Sequence, residues 1–186
     1  MKSALVLSCA IAMLCFAAPA QAQEDGGYGE GLSVPYVPTP QSVVRGMLQL
    51  AKVTKDDYVI DLGCGDGRIV VMAASEFGAK SLGYDLDPQR IEEATANAAT
   101  AKVSERAKFI KKDLFEAEIK DATVVTLYLL PSVNEKLMPR LLGELKPGTR
   151  IVSHSFRMGE WKPDETKEID GRTVYLWTIR AKPAGQ

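Results

Sequence analysis

The sequence predicts a three-layer α/β protein, in which helices cover both faces of a doubly wound, mostly parallel sheet with an antiparallel last strand. Short apolar segments alternate with helical segments through the middle of the chain, which is typical of parallel βα units. The first strand segment ends in a glycine-rich loop that leads into a helix, as in parallel sheets that bind ligands. The last two strand segments are joined by Asp170-Gly171, a dipeptide that favours a hairpin, so the final strand must run antiparallel to the one before it.

Residues 1–22 are predicted to form a secretory signal peptide. Lys2 supplies a positive charge, Ala4 to Ala18 is uncharged and almost wholly apolar, and Ala20-Gln21-Ala22 has small residues where signal peptidase cuts. The apolar run is shorter than the roughly 20 residues of a spanning helix. We therefore expect a periplasmic or secreted protein with no stable membrane insertion after cleavage. An anchor formed by an uncleaved N-terminal segment is the alternative.

The charge balance argues against a nucleic-acid partner. The chain has 23 basic and 24 acidic residues, and residues 1–22 contain one basic residue and no acidic one. No basic excess is left to bind a phosphate backbone. After signal cleavage Cys64 is the one cysteine that remains, so we expect no internal disulfide and a fold stabilised by its hydrophobic core. We also expect the protein to be a monomer.

Residues 23–34 are rich in glycine and polar residues and are predicted to be a flexible leader. The folded domain is expected to span residues 35–186. Prolines at 35, 38 and 40 favour an extended start, and Thr39 followed by Pro40 predicts a helix N-cap and first turn. The apolar stripe of this helix consists of Val43, Val44, Met47, Leu48, Leu50 and Ala51.

Further strands and helices follow in regular order. Strands are predicted at residues 58–62, 81–84, 107–111, 123–129, 149–153, 165–169 and 173–179. Helices are predicted at residues 69–77, from Pro88 to about Ala101 with Ile91, Ala94, Thr95 and Ala98 inward, and from Ser132 to Leu145. Asp87 is expected to cap the second of these, and Ser132 with Glu135 predicts a capping box for the third. The last strand is expected to insert between the fifth and sixth.

The end of the first strand and the loop after it carry the strongest functional signal, Asp61-Leu62-Gly63-Cys64-Gly65-Asp66-Gly67-Arg68. Ligands bind beyond the carboxyl ends of parallel strands, where glycines let the backbone approach closely. A dinucleotide loop has the pattern Gly-x-Gly-x-x-Gly/Ala, but Arg68 stands at its last position. The spacing is instead Gly-x-Gly-x-Gly after an acidic residue. Cys64 is interpreted as a small residue of this loop and not as a nucleophile.

Two more acidic residues follow the next two strands. Asp85 stands 20 positions after Gly65, where a carboxylate can accept hydrogen bonds from ribose hydroxyls. Its neighbour Asp87 precedes a proline and is assigned to the helix cap. Asp113 follows the third strand. Because the carboxyl ends of parallel strands meet at one edge of the sheet, we expect Asp61, Asp85 and Asp113 to converge.

This loop resembles motif I of the class I, seven-stranded, Rossmann-like methyltransferases that use S-adenosylmethionine. The resemblance implies that Asp61 or Asp66 serves the cationic amino group of the cofactor and that Asp85 binds its ribose. It also implies that Asp113 takes the adenine amino group and that the next backbone amide meets the ring. The cofactor-binding residues implied in this way are Tyr36, Asp61, Gly63, Gly65, Asp66, Gly67, Asp85, Asp113 and Leu114.

Further segments resemble a narrower family. They are Pro35-Tyr36-Val37-Pro38, Tyr84-Asp85-Leu86-Asp87-Pro88, the stretch LYLLPSV at 127–133 and Ile151-Val152-Ser153-His154-Ser155-Phe156. Together they are similar to the small protein-lysine methyltransferases that include the mitochondrial ATP-synthase c-subunit lysine N-methyltransferase and its bacterial relatives. The likeness covers about residues 35–165 and implies a protein lysine as methyl acceptor. The predicted export signal is a feature in which this chain departs from that family.

Tyr128 and His154 are the predicted catalytic residues. An acceptor lysine must be neutral, and a partly apolar pocket favours its neutral form. Tyr36 and Tyr128 could line such a pocket, with either hydroxyl accepting an N–H. His154 could act as a base or be a strand-end residue bonded to backbone. The short link from Phe156 to Pro163 omits a helix, which predicts an open site.

Other outcomes stay open at this point. The same fold could methylate a small molecule, or the chain could be an exported S-adenosylmethionine-binding protein without catalysis. The end of the fourth strand lacks the Asn/Asp-Pro-Pro-Tyr/Phe signature of base and glutamine methylation, which further disfavours nucleic acid. No cluster of His, Cys and carboxylates has the spacing of metal ligands, so no metal is expected.

Overall fold

A computed structural model describes residues 36–181. The predicted signal peptide (1–22) and leader (23–34) lie outside the described residues. The helices are α1 (Gln41–Leu50), α2 (Arg68–Glu76), α3 (Pro88–Thr100) and α4 (Pro131–Glu144). The strands are β1 (Tyr58–Leu62), β2 (Lys80–Asp85), β3 (Ala107–Lys111), β4 (Val124–Leu127), β5 (Arg150–His154), β6 (Glu165–Ile169) and β7 (Arg172–Thr178).

The strands form one sheet in the order β3-β2-β1-β4-β5-β7-β6. Strands β1 to β5 pair in parallel, whereas β7 runs antiparallel to both β5 and β6. Asp170 and Gly171 both have positive φ, +52° and +69°, as a two-residue hairpin turn requires. The predicted doubly wound sheet with an antiparallel last strand is therefore confirmed. Its order reverses between β1 and β4, which places a ligand crevice at their carboxyl ends.

Hydrophobic cores cover both faces of the sheet. Helices α1 and α2 pack on one face against residues such as Val59, while α4 packs on the other against residues such as Ile60. Both of these neighbours on β1 are fully buried, which explains why the strand is a continuous apolar run and not an alternating one. All six predicted apolar residues of α1 are buried.

Three local predictions were wrong. Pro40, not Thr39, is the N-cap of α1, and no side chain caps this helix; the Thr39 hydroxyl instead lies 3.1 Å from Nδ1 of His154. Helix α4 begins at Pro131 and has no side-chain cap, because proline favours the first helical position and moves Ser132 into the first turn. Thr95 is exposed and donates to the carbonyl of Ile91 at 2.7 Å. The predicted cap of α3 is confirmed, since its first-turn amide donates to the Asp87 carboxylate at 2.8 Å.

The connection from β5 to β6 is short and contains no helix in residues 155–164, as the sequence predicted. Met158 in this connection is fully buried. The indole N–H of Trp177 donates to the carbonyl of Trp161 at 2.9 Å, and the side-chain amide of Asn134 donates to the carbonyl of Arg157 at 3.2 Å. The connection is thus anchored to both the sheet and α4.

Among the described helices, none combines the length and the apolar character that a membrane span needs.

Asp57 joins the amino ends of the central strands. Its carboxylate accepts from the Thr123 hydroxyl at 2.7 Å and from the Thr54 amide at 2.7 Å, and it pairs with Arg150. Burial raises the pKa of Asp57, but these three partners outweigh burial and leave its pKa below the ordinary value. One side chain therefore links the starts of β1, β4 and β5 at the edge opposite the ligand crevice.

Replacing Asp57 by Asn should lower the free energy of unfolding by about 3 kcal/mol at pH 7, because Arg150 loses its counter-charge in a mostly buried place. The matched variant Asp56→Asn changes a side chain that is 84% exposed and should cost less than about 0.5 kcal/mol. Since the folded pKa of Asp57 is depressed, its stabilisation is present above the ordinary pKa and is lost as the pH falls through the folded one. Urea unfolding measures both variants, and equal losses would contradict the assignment.

Candidate functional site

The loop between β1 and α2 has a backbone that favours glycine. Gly63, Gly65 and Gly67 have φ angles of +81°, +52° and +76°, which L side chains rarely adopt. A Cβ added at Gly65 would lie 2.5 Å from the Tyr36 ring. The loop therefore needs glycine for both its conformation and its packing, and its bare backbone lies at the ligand edge of the sheet.

Asp85, at the end of β2, holds this loop. Its Oδ2 accepts from the Gly65 amide at 2.8 Å, and its Oδ1 accepts from the Asp87 amide at 3.0 Å. Each carboxylate oxygen can accept more than one hydrogen bond. Asp85 is thus fixed by backbone groups and retains the capacity to accept from a pair of hydroxyls, whereas Asp87 is used as the cap of α3.

Asp61, at the end of β1, is a buried carboxyl group. It is 2% exposed, and its Oδ1 accepts from the Thr126 hydroxyl at 2.6 Å. Burial raises the pKa of Asp61 to about 7, against the opposing effect of the Thr126 hydrogen bond and with smaller contributions from Asp85 and Asp66. A carboxyl group in this state would be ionised by a cation that binds beside it.

Asp66 has a different environment. Both of its oxygens accept from Arg68, whose Nε and Nη2 donate at 2.9 Å and 2.6 Å. Burial raises the pKa of Asp66, but the hydrogen bonds and charge of Arg68 outweigh it and lower the pKa below the ordinary value. Arg68 therefore neutralises Asp66, whereas Asp61 forms no salt bridge within residues 36–181.

The loop after β3 places Asp113 third in the row of strand ends. Its Oδ1 accepts from the Phe115 amide at 2.8 Å, which fixes the turn. Arg140 of α4 donates to the carbonyls of Leu114, Phe115 and Ala117. The structure thus brings Asp61, Asp85 and Asp113 to the same edge of the sheet, at or just beyond the ends of the adjacent strands β1, β2 and β3. Helix α4 holds the Leu114 backbone there.

Tyr36 lies beside the glycine loop. Its ring contacts Gly65, and the guanidinium carbon of Arg90 lies 4.5 Å from the ring centroid. Burial and the charge of Asp66 raise its pKa, so the phenol is neutral at pH 7. Tyr36 therefore lies with the other predicted cofactor-binding residues and packs against the glycine loop.

Tyr128 and His154 come together at the ends of β4 and β5. Their ring centroids are 3.9 Å apart, and Tyr128 stacks on Phe156 at 6.0 Å; these three rings are called the aromatic row. His154 is 1% exposed. Its Nε2 has no hydrogen-bond partner among the described residues. Burial, with a smaller contribution from Arg172, lowers the pKa of His154 to about 4, so the imidazole is neutral at pH 7.

The aromatic row adjoins the glycine loop. Leu62 on β1 is in register with Leu127 on β4, and Tyr128 is the next residue. A Cβ added at Gly63 would lie 2.9 Å from the side chain of Leu129. The two groups of predicted site residues therefore lie at neighbouring strand ends, on either side of the point where the strand order reverses.

Three residues of the site were not predicted from the sequence. Phe156 could have been found, because it lies just beyond β5, as the predicted Tyr128 lies just beyond β4. Arg68 could have been found as the partner of Asp66 two positions before it. Thr39 gave no separate signal, because a threonine before Pro40 is equally typical of a helix cap.

The described residues of this site show little sign of cysteine or metal chemistry. Cys64 is buried, which raises the pKa of its thiol well above the ordinary value and agrees with its interpretation as a small loop residue. A Cβ at Gly83 would lie 2.7 Å from Cys64. Within the part of the chain that the structure describes, no group of three or more His, Cys, Asp or Glu side chains is arranged to hold a metal ion.

This chain is similar to methyltransferases of known sequence and structure. Residues 61–165 match the family described as the ANTKMT methyltransferase domain. A protein-lysine N-methyltransferase of Saccharolobus islandicus (strain REY15A) is 51% identical over 78% of this chain and 94% of that protein. The ATP-synthase c-subunit lysine N-methyltransferase of Xenopus laevis is 30% identical over 81% of this chain and 66% of that protein. A crystal structure of an RNA methyltransferase from Salinibacter ruber in complex with S-adenosyl-L-homocysteine is 52% identical, with a TM-score of 0.77 over 81% of this chain and 98% of that chain.

The described residues fit a ligand of this chemistry. S-adenosylhomocysteine carries an ammonium group, a ribose diol and an adenine ring. Asp61 is a buried carboxyl group without a cationic partner among the described residues, and Asp85 is a carboxylate held ready for two hydroxyls. The positive-φ glycines form a loop of bare backbone at the ligand edge of the sheet, to which a ligand can approach closely.

Replacing Asp85 by Ala should weaken S-adenosylhomocysteine binding by about 1–3 kcal/mol, the usual cost of leaving hydrogen-bonding groups unpaired. The matched variant Asp87→Ala removes the cap of α3 and should cost about 1 kcal/mol of folding stability while leaving affinity unchanged. Calorimetric titration and urea unfolding separate the two effects. Equal affinities for Asp85→Ala and the wild type would refute the role of Asp85.

The affinity for S-adenosylhomocysteine should increase by up to about tenfold from pH 6 to pH 8, because only the ionised form of Asp61 attracts the ligand's ammonium group and that form is the minor one below pH 7. The variant Asp61→Asn should bind more weakly and with no pH dependence in this range, and Asp56→Asn should behave as the wild type. His154 does not titrate in this window. A pH-dependence that persists in Asp61→Asn would show that another group is responsible.

Proposed function

Because the chain belongs to the family of the ANTKMT methyltransferase domain, we propose that it transfers a methyl group from S-adenosylmethionine to lysine side chains of proteins. The activity, methyl transfer, and the cofactor, S-adenosylmethionine, follow from the family and from the related Salinibacter ruber structure, which has S-adenosylhomocysteine bound. The resemblance to lysine methyltransferases predicted from the sequence is confirmed by the matches.

The aromatic row is the observation that carries this proposal. It lies next to the glycine loop and consists of a buried neutral imidazole, a partly exposed phenol and a phenyl ring. Such a surface, in which Tyr128 and Phe156 are the partly exposed members, receives the aliphatic part of a lysine, and none of its rings carries a positive charge. It also disfavours the ammonium form, which must lose its proton before it can be methylated.

The residues of the row have separate roles in this proposal. The Tyr128 hydroxyl accepts a hydrogen bond from the lysine amine and orients its lone pair. His154, with a pKa of about 4, is too weak a base to take a proton from an ammonium group of pKa near 10.4. We therefore assign His154 a supporting role, in which it holds the ring of Tyr128. The proton of the lysine ammonium group passes to solvent.

S-adenosylmethionine supplies, when bound, an electrophilic methyl group on a sulfonium sulfur. The contribution of the protein is to align the acceptor and exclude water. We assign Asp61, and not Asp66, to the amino group of the cofactor, because Arg68 already neutralises Asp66. The remaining assignments are Asp85 to the ribose, Asp113 and Leu114 to the adenine, and Tyr36, Gly63, Gly65 and Gly67 to the loop that encloses the amino-acid part.

RNA is the second candidate acceptor, because the Salinibacter ruber relative is described as an RNA methyltransferase. The near balance of 23 basic and 24 acidic residues does not provide the basic surface that RNA binding requires. The lysine methyltransferase of Saccharolobus islandicus is as similar to this chain as the Salinibacter protein. The aromatic row and the charge together favour lysine.

Incubation with S-adenosylmethionine and either envelope proteins or total RNA should place mass increments of 14 Da or its multiples on lysine. The variant Tyr128→Phe should lower the turnover about tenfold, because one hydrogen bond to the amine is lost. The control Tyr58→Phe alters another partly buried tyrosine, at the amino end of β1, and should keep wild-type activity. Methylated RNA with unmodified protein would replace the lysine proposal by the RNA one.

We also propose that residues 1–22 direct export, so that the enzyme acts in the periplasm or outside the cell. The support is the sequence pattern of Lys2, the apolar run and Ala20-Gln21-Ala22. A reporter fused to residues 1–30 should leave the cytoplasm and begin at Gln23 after cleavage. A fusion retained in the membrane at full length would indicate an anchor, and a cytoplasmic fusion would contradict export.

A further inference from the structure

Thr39 is a buried polar residue whose hydroxyl does not form the helix cap that the sequence predicts. It is 3% exposed and directly precedes the N-cap of α1, yet it does not cap the helix. Its Oγ1 lies 3.1 Å from Nδ1 of His154, 115 positions further along the chain. The hydroxyl therefore serves a tertiary contact.

The backbone of Thr39 is bound to the glycine loop. Its carbonyl accepts from Nη1 of Arg68 at 2.9 Å, and the same guanidinium holds the Asp66 carboxylate. The Asn97 side chain in turn donates to the Asp66 carbonyl at 2.9 Å. Thr39 is thus held by the loop that encloses the cofactor site, and its position is fixed independently of its hydroxyl.

The other end of this chain of contacts reaches the aromatic row. His154 has two ring nitrogens, of which Nδ1 meets Thr39 and Nε2 is buried without a partner among the described residues. A buried N–H without an acceptor is rarer than a buried acceptor without a donor, so Nδ1 carries the proton and donates to Thr39. Tyr128 lies against this imidazole, with the two ring centroids 3.9 Å apart.

We propose that Thr39 is a positioning residue for methyl transfer, whose hydroxyl fixes the tautomer and plane of His154 and thereby the ring of Tyr128 that receives the acceptor. The contact chain Asp66–Arg68–Thr39–His154–Tyr128 joins the cofactor loop to the acceptor side. The inference rests on the proposed function, because it takes the aromatic row to be the acceptor site. The hydroxyl of Thr39 contacts His154, so its effect on the acceptor passes through the His154 and Tyr128 rings.

The test compares Thr39→Val, which removes the hydroxyl at nearly constant shape, with Thr39→Ser, which keeps it. Thr39→Val should lower kcat for a lysine-containing protein about tenfold, the effect of one lost hydrogen bond, with the Kd for S-adenosylhomocysteine within about twofold of wild type. Thr39→Ser should restore kcat to within about threefold. The control Thr166→Val, at an exposed position on β6, should change neither quantity.

Because His154 is the single histidine of the chain, ¹⁵N-histidine labelling of the untagged protein gives one imidazole signal pair. Wild type and Thr39→Ser should show the Nδ1–H tautomer, and Thr39→Val should shift to Nε2–H or a mixture. Wild-type kcat in Thr39→Val, or a Kd that worsens as much as kcat falls, would overturn the inference. An unchanged tautomer would also overturn it. A wild-type enzyme that never methylates lysine would contradict the proposed function instead, and the NMR result would still decide whether Thr39 orders His154.

Discussion

The hydrogen bond from the Gly65 amide to the Asp85 carboxylate is the contact on which the site depends. It ties the loop after β1 to the end of β2, and it requires a backbone of positive φ that glycine supplies without strain. The bond acts on both partners. It holds the bare loop at the ligand edge of the sheet, and it holds Asp85 in the place where the ribose of the cofactor is expected.

Placing several carboxyl groups at one sheet edge costs electrostatic repulsion, and the structure reduces that cost in three ways. Arg68 neutralises Asp66, backbone amides stabilise Asp85, and Asp61 shifts toward its protonated form. Burial raises the pKa of Asp61 to about 7, close to the physiological pH. The edge can therefore respond to a positively charged ligand at one position, and S-adenosylmethionine brings both an ammonium and a sulfonium charge to the site.

The fold could be predicted because its signals are local and repeated. Val59 and Ile60 belong to opposite faces, and their joint burial makes the strand readable as a continuous apolar run. Asp61, Asp85 and Asp113 could be placed together because parallel strands end at one edge. The role of Thr39 could not be predicted, since a helix cap and a bond to a residue 115 positions away have the same local pattern. The predicted capping role of Ser132 was wrong, because Pro131 takes the first helical position. The raised pKa of Asp61 could not be predicted either, because it depends on burial in the folded protein, which the sequence alone does not give.

A crystal structure with S-adenosylhomocysteine bound tests the central claim most directly. We predict that the ammonium group of the ligand lies within hydrogen-bonding distance of Asp61. Both ribose hydroxyls should meet Asp85, and the adenine ring should lie beside Asp113 and Leu114. A ligand bound elsewhere, or a ligand in the crevice whose ammonium group meets Asp66 while Asp61 stays paired only with Thr126, would contradict the claim.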